Sequence, residues 1–416
     1  MEGAEERGGC ILKITDVKSA IIGENIVIRV ATDKGVDGYS QVEARKDYVR
    51  EIIPFFREKI VGCNPVNVED VLRRVRRYGG FKPWGKIFSS IEIALWDIAG
   101  KEAGLPVYRL MGGKVRDRVR VYQGGFADPN PPYPSPKNPE EAGENILHLN
   151  ELPEGFSIVK GGGFWHGGWG EYIEKGSYNS YYYPDAAPGS FLYNGSLLKE
   201  ETLKKDIDNI SRLKKVVGDR VGLAFDVGPG FMPTDAIRLA KAIEPFNVVW
   251  LEDSIAGDYT PYTMWKTFSD VTTATTTPIH TGEQIYLRQN FMDLIENRAV
   301  DVIGPDPADT GGIAELKWIA EYAQLHGILI APHGKIDGVF GIAALTQVCS
   351  TMPQNYIAYE FPHINPAWWA DIVDGLPDPL LRDGHIKVSD APGLGLTFNV
   401  SKAEKYLNAE DKDFFL

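Results

Sequence analysis

With 416 residues, 43% of them hydrophobic and 24% charged, the chain has the composition of a folded globular protein, long enough for one large barrel with an additional domain or for two or three ordinary domains. Lys and Arg number 44 against 57 Asp and Glu, a net charge of −13, and no basic stripe interleaved with aromatics occurs, so nucleic acid is not the expected partner. Cys10, Cys63 and Cys349 form no CxxC or His-paired spacing, which argues against a disulfide framework or a zinc site, and neither a signal-peptide core nor the ~18 apolar residues of a membrane span is found, so a cytoplasmic protein is expected.

After an acidic, Gly-rich tail at residues 1–10, read as disordered, ILKITDVKSAIIG and NIVIRVATDKGVDGYS alternate apolar and polar residues about a DKG turn signal and predict a small antiparallel sheet. DYVREIIPFFREKIVG, VEDVLRRVRRYGG and SSIEIALWDIAGKEAG carry helical periodicity. Residues 11–118 therefore read as an α+β domain.

From Val119 the pattern changes to short apolar runs separated mostly by amphipathic helical stretches: VRVYQGG, FSIVKGG, VGLAFDV, VVWLED, PIHTGE, AVDVIGPD, GILIAPHG and NYIAYEF. Eight such strands alternating with helices, with no GxGxxG and no P-loop, predict an α/β barrel over residues 119–378 rather than a doubly wound open sheet. Two segments break the pattern. DPNPPYPSPKNP is too rich in proline for a helix or a central strand. Residues 161–198 form a long aromatic and Gly-rich insertion, read either as a cover for the substrate or as a contact between subunits.

Lys160, Asp226, Glu252, Glu283, Asp306, His333 and Glu360 each end one of these runs, where the loops of a barrel build active sites. Any one of them could simply cap the next helix; seven in successive strands point to a site. Asp226, Glu252 and Glu283 offer an all-oxygen anionic set suited to one Mg²⁺, and without a cation three converging carboxylates would repel. A cation held there would supply the local positive field that an acidic protein needs to bind a small anionic substrate. Asp306 is placed to orient and charge-stabilise His333 as a general base. Lys160 is read as holding a substrate carboxylate opposite the metal, and Glu360 as stabilising the second enolate oxygen, with an ordinary ion pair as the alternative for each. His148, His280, His326, His363 and His385 are read as structural.

The strings FD, LED, GE, PD and PHG on successive strands, with SSIEIALWDIAGKEAGLPVYRLMGGKVRDRVRVY before them and EFP, PAWWADIV and RDGHIKVSDAPGLGL after, resemble the mandelate racemase subgroup of the enolase superfamily over nearly the whole chain. The resemblance implies a (β/α)7β modified TIM barrel with an N-terminal α+β capping domain, completed by a C-terminal segment, residues 379–416, that returns to it. It also implies Mg²⁺ on Asp226, Glu252 and Glu283, a His333–Asp306 dyad, Glu360 facing the substrate carboxylate, and a homo-oligomer. Capping loops set substrate choice in this family; the candidates here are YGGFKPWGK, with Tyr78 and Phe81, and the insertion, with Trp165 and His166.

One departure bears on the reaction. Racemases of the subgroup carry Lys-x-Lys on the second strand, whereas VKGGG keeps Lys160 and puts Gly162 at the second position. Racemisation needs bases on both faces, while β-elimination can use one base that then acts as acid. Dehydration of an aldonate or aldarate to a 2-keto-3-deoxy acid is therefore the expected activity, with His166 as a candidate second acid. A racemase, epimerase or lactonising enzyme is the alternative, and a non-catalytic binding protein on the same scaffold a more distant one. LED in place of LEE, and Gly228 after DV, suggest that neither strand adds a further acid.

Overall fold

Alternation in the first forty residues resolves into three antiparallel strands, β1 (Ile14–Ile22), β2 (Asn25–Thr32) and β3 (Gly38–Val42), in the order β1-β2-β3. They pack with α1 (Tyr48–Ile60), α2 (Val68–Gly79) and α3 (Gly85–Ala103). Helix α1 buries Val49, Ile53, Phe56 and Ile60, the three- and four-residue spacing of one helix face. Helix α3 is covered almost all round, which is why IEIALWDIAG shows little amphipathic contrast: one side meets the sheet and another meets the barrel. These details come from a computed structural model that describes residues 11–42, 48–79, 85–125, 136–161, 198, 200–228, 230–255, 263–334, 338–362 and 368–416. The expectations for the tail, Phe81, Trp165, His166, His363 and most of the insertion lie outside the described residues.

After the short helix α4 (Val107–Leu110), eight parallel strands follow: β4 (Arg118–Gly124), β5 (Ile158–Gly161), β6 (Gly222–Asp226), β7 (Trp250–Glu252), β8 (Ile279–Thr281), β9 (Val302–Ile303), β10 (Leu329–Ile330) and β11 (Tyr359–Pro362). Each pairs with the next, β11 pairs back onto β4, and a parallel bridge between Ile330 and Tyr356 joins the last two neighbours, so the sheet closes on itself. Helices α5 (Pro139–Glu151), α6 (Glu200–Val217), α7 (Pro233–Ile243), α8 (Trp265–Ala274), α9 (Met292–Glu296), α10 (Pro307–Thr310), α11 (Ile313–Leu325) and α12 (Gly338–Cys349) fill the connections. This is the modified TIM barrel with an N-terminal α+β domain. Beyond β11 the chain hydrogen-bonds to β1 and the following turn through Asn408 N to Ile21 O and Gly23 N to Tyr406 O, and Arg50 pairs with Asp411. Among the described residues no helix is long and apolar enough to cross a membrane.

The interior of the barrel follows the two-residue period of a strand. Tyr122, Ile158, Ala224, Trp250, Val302, Ala331 and Ala358 form a separate buried cluster that fills the floor. Two residues further along, on the same face, come Gly124, Lys160, Asp226, Glu252, Gly304, His333 and Glu360. One step toward the C-terminal ends thus exchanges an apolar layer for a polar one.

Candidate active site

Glu252, the last residue of β7, is fully buried, takes hydrogen bonds from two neighbours and lies beside the ring of a third. Lys160 Nζ lies 2.7 Å from its Oε1, Trp250 Nε1 donates to Oε2 at 2.8 Å, and His280 Nδ1 lies 3.3 Å from Oε2. His280 stacks on the Trp250 ring, 5.1 Å between centroids, and burial pushes its pKa down to about 3, so it is a neutral imidazole. Burial, the negative charges of Asp226 and Glu283, and that of Glu360 push the Glu252 carboxyl up to about 8 despite Lys160. The same causes, burial first, raise Asp226.

Lys160 stands inside this cluster, 3.1 Å from Glu360 Oε2 and 3.7 Å from Asp226 Oδ2 as well as against Glu252. Three carboxylates draw its ammonium in. Burial would lower its pKa, but those carboxylates hold it well above the usual value.

His333 and Asp306 meet as the strand order predicts, Nδ1 to Oδ2 at 2.6 Å. Asp306 also accepts from Ala308 N at 2.7 Å, capping α10, so its carboxylate is held by backbone on one side and imidazole on the other. Burial would raise its pKa, yet the His333 hydrogen bond and charge, and the charge of Lys86, bring it below the usual range. His333 Nε2 points into the mouth, 3.3 Å from Glu283 Oε2 and 3.5 Å from Glu360 Oε2. These carboxylates and Asp306 outweigh its desolvation and raise its pKa well above the ordinary value. Tyr122 OH donates to Glu360 Oε2 at 3.3 Å, and a Cβ on Gly124 would collide with Glu360 Oε1, so only glycine fits beside that side chain.

Among the described residues, carboxylate oxygens of Glu252, Asp253 and Glu283 all lie within 4.8 Å of one another, and Asp226 is not in that group. Asp253 is buried, has a left-handed backbone (φ 48°) and accepts from Thr281 Oγ1 at 2.8 Å. The sequence reading of LED took this strand to add no further acid; the left-handed turn at Asp253 ends the strand's alternation. His280, read as structural, is the register partner of Glu252. Tyr78 is half exposed and contacts Phe55 and Lys59, at the surface of the N-terminal domain. The donor set is acidic and all oxygen, with carboxyls destabilised by their own proximity, and it fits a hard divalent cation such as Mg²⁺.

Residues 14–112 match the mandelate racemase / muconate lactonizing enzyme N-terminal domain, and residues 166–403 match the enolase C-terminal domain-like family. The chain is 31% identical to D-xylonate dehydratase of Haloferax volcanii over 95% of its own length and 89% of that protein's. It is 28% identical to a D-galactonate dehydratase family member of Musicola paradisiaca over 95% and 94%. A mandelate racemase/muconate lactonizing enzyme-like protein of Rubrobacter xylanophilus superimposes with a TM-score of 0.79 at 29% identity, over 95% of this chain and 98% of that one. Closed barrel, N-terminal α+β domain and strand-end carboxylates agree with these matches, and the chain belongs to the mandelate racemase / muconate lactonizing enzyme family of the enolase superfamily.

Proposed function

We propose that this enzyme dehydrates an acid sugar, removing the C2 proton of an aldonate or aldarate with His333 and expelling the 3-hydroxyl to leave a 2-keto-3-deoxy acid. The observation that carries the reading is the 2.6 Å contact of His333 Nδ1 with Asp306, which leaves Nε2 aimed into a mouth ringed by Glu252, Glu283 and Glu360. Support also comes from relatives along the whole chain that are named as dehydratases of D-xylonate and of the D-galactonate family.

In this reading Asp226, Glu252 and Glu283 hold Mg²⁺, and Asp253, hydrogen-bonded to Thr281, ties the end of β7 to the end of β8. Bound there, the ion supplies Lewis acidity toward the substrate carboxylate. Asp226 is preferred to Asp253 as third ligand because its side chain is about a third exposed toward the mouth, whereas Asp253 is buried. Lys160 moves from its carboxylate partners to the substrate carboxylate when another cation neutralises them. Asp306 fixes the His333 tautomer with Nδ1–H donating; the carboxylates beside Nε2 favour its protonated form, and their neutralisation by a bound cation would lower that pKa and free the Nε2 lone pair to take the C2 proton. The electrons of the C2–H bond form the C2–C3 double bond as the C3–O bond breaks, and the proton on His333 leaves with the hydroxyl as water. The resulting enol tautomerises to the ketone. The N-terminal domain, 11–118, with residues 379–416, acts as the cap over the barrel, 119–378.

The test is incubation with Mg²⁺ and a library of aldonic and aldaric acids, trapping keto product with semicarbazide, with His333→Asn in parallel. Keto product that disappears in the variant supports the reading. Exchange of the C2 proton in D₂O without elimination would replace it with a racemase or epimerase.

A further inference from the structure

Helix α3 of the N-terminal domain presents Lys86, Ser89 and Glu92, one residue per turn, to the barrel segment that follows Asp306. Lys86 Nζ donates to Asp309 Oδ2 at 2.7 Å, Ser89 Oγ accepts from Gly311 N at 3.0 Å, and Glu92 accepts from Ile313 N and Ala314 N at 2.8 and 2.9 Å. The approach is close enough that a Cβ on Gly85 would stand 2.9 Å from the Asp309 carbonyl oxygen.

Asp309 N donates to Asp306 O at 3.0 Å, and its neighbour Thr310 N donates to the same oxygen at 2.7 Å. A displacement of Asp309 therefore moves the residue that orients His333. The two carboxylates, three residues apart and both largely removed from water, also repel each other. His333 answers the first charge, and Lys86, itself buried, answers the second. Burial of both partners makes this pair unlike a surface salt bridge: loss of one charge leaves the other uncompensated.

We propose that Lys86 is a positioning residue for the His333–Asp306 pair, its ammonium neutralising Asp309 so that an uncompensated charge does not displace α10 and the Asp306 carboxylate stays aimed at His333 Nδ1, thereby making docking of the N-terminal domain a condition for base catalysis. The proposal rests on the dehydratase reading above for its kinetic readout. It extends the site into the N-terminal domain.

The test uses the full-length Mg²⁺-loaded protein with Lys86→Met, Lys86→Arg, Asp309→Asn and the double variant Lys86→Met/Asp309→Asn. Lys86→Met should lower kcat by about 10- to 100-fold, the scale of a small misplacement of a catalytic group, with KM within about twofold. Lys86→Arg should recover most of the loss, and so should the double variant, because it removes the carboxylate that needs the charge. Retention of kcat within about threefold in Lys86→Met, or a double variant as impaired as the single one, overturns the proposal. If Lys86→Met does not fold, the double variant against Asp309→Asn decides: equal kcat supports it, a further 10-fold loss overturns it. If the wild type converts no acid sugar, the functional reading fails by itself, and the low-field proton resonance of His333 Nδ1–H decides instead. It should shift in Lys86→Met and return in the double variant; an unmoved resonance overturns the proposal.

Discussion

Replacement of Glu92 by Gln tests how the N-terminal domain is held to the barrel. Gly312, the residue before α11, has no side chain to cap the helix and a backbone at φ +106°. Glu92 supplies the cap from the other domain, one oxygen accepting from Ile313 N, the other from Ala314 N and from Trp96 Nε1 at 2.8 Å. Burial nevertheless outweighs these donors and pushes the carboxyl from 4.5 up to about 8. A group with a raised folded-state pKa binds its proton more tightly when folded, so its stabilising effect is complete below pH 4.5 and is lost as pH rises toward 8. Between pH 5.5 and 7.5 that loss amounts to roughly 2.5 kcal/mol, at about 1.4 kcal/mol per tenfold step. The amide introduced by Glu92→Gln cannot titrate and leaves one N–H unmet, a cost of about 1–3 kcal/mol that does not depend on pH. Urea unfolding of both proteins at the two pH values isolates the linked part, since other titrating groups cancel in the difference. The wild type should lose about 2.5 kcal/mol relative to the variant on going from pH 5.5 to 7.5. A difference that stays constant with pH would refute the reasoning and mean that three N–H donors and the helix terminus keep Glu92 ionised throughout.

The identity of the third metal ligand separates two single variants. Asp226→Asn should weaken Mg²⁺ binding by calorimetry about 10-fold or more, and Asp253→Asn should act mainly on the melting temperature; the reverse order would put Asp253 on the ion. Trp250→Phe removes the indole donor to Glu252 and should cost about 1.5–3 kcal/mol by urea unfolding if Glu252 is ionised, and less than about 1 kcal/mol if it is protonated. Gly124→Ala drives a methyl group into Glu360 and should lower kcat at least about 10-fold while costing about 1–3 kcal/mol of stability; an unchanged kcat would remove Glu360 from the working geometry.

Much of this architecture was legible because parallel barrel strands are buried on both faces and end in polar residues, so VVWLED and GILIAPHG announced both a strand and its functional terminus. The pairing of Asp306 with His333 followed from strand order alone. Side-chain direction beyond a strand end did not: Asp253 leaves the alternation through a left-handed backbone, and His280 read as an isolated histidine until its register with Glu252 was known. Lys160 was placed correctly on its strand, but its partners are set by the balance of charge among three carboxylates, which a linear pattern does not encode. Lys86 and Glu92 carried weaker signals still. A Glu inside IEIALW is out of place in an apolar helix face, yet two of its three donors lie more than two hundred residues away on α11.

The central claim is that His333 takes the C2 proton and elimination follows. Running the wild type and His333→Asn in D₂O on a substrate acid sugar, with proton NMR of product and recovered substrate, tests it most directly. The account predicts a 2-keto-3-deoxy acid carrying one deuterium at C3, and no product from His333→Asn. Keto product formed by His333→Asn at an undiminished rate, or recovered substrate deuterated at C2 with inverted configuration and no elimination, would contradict it.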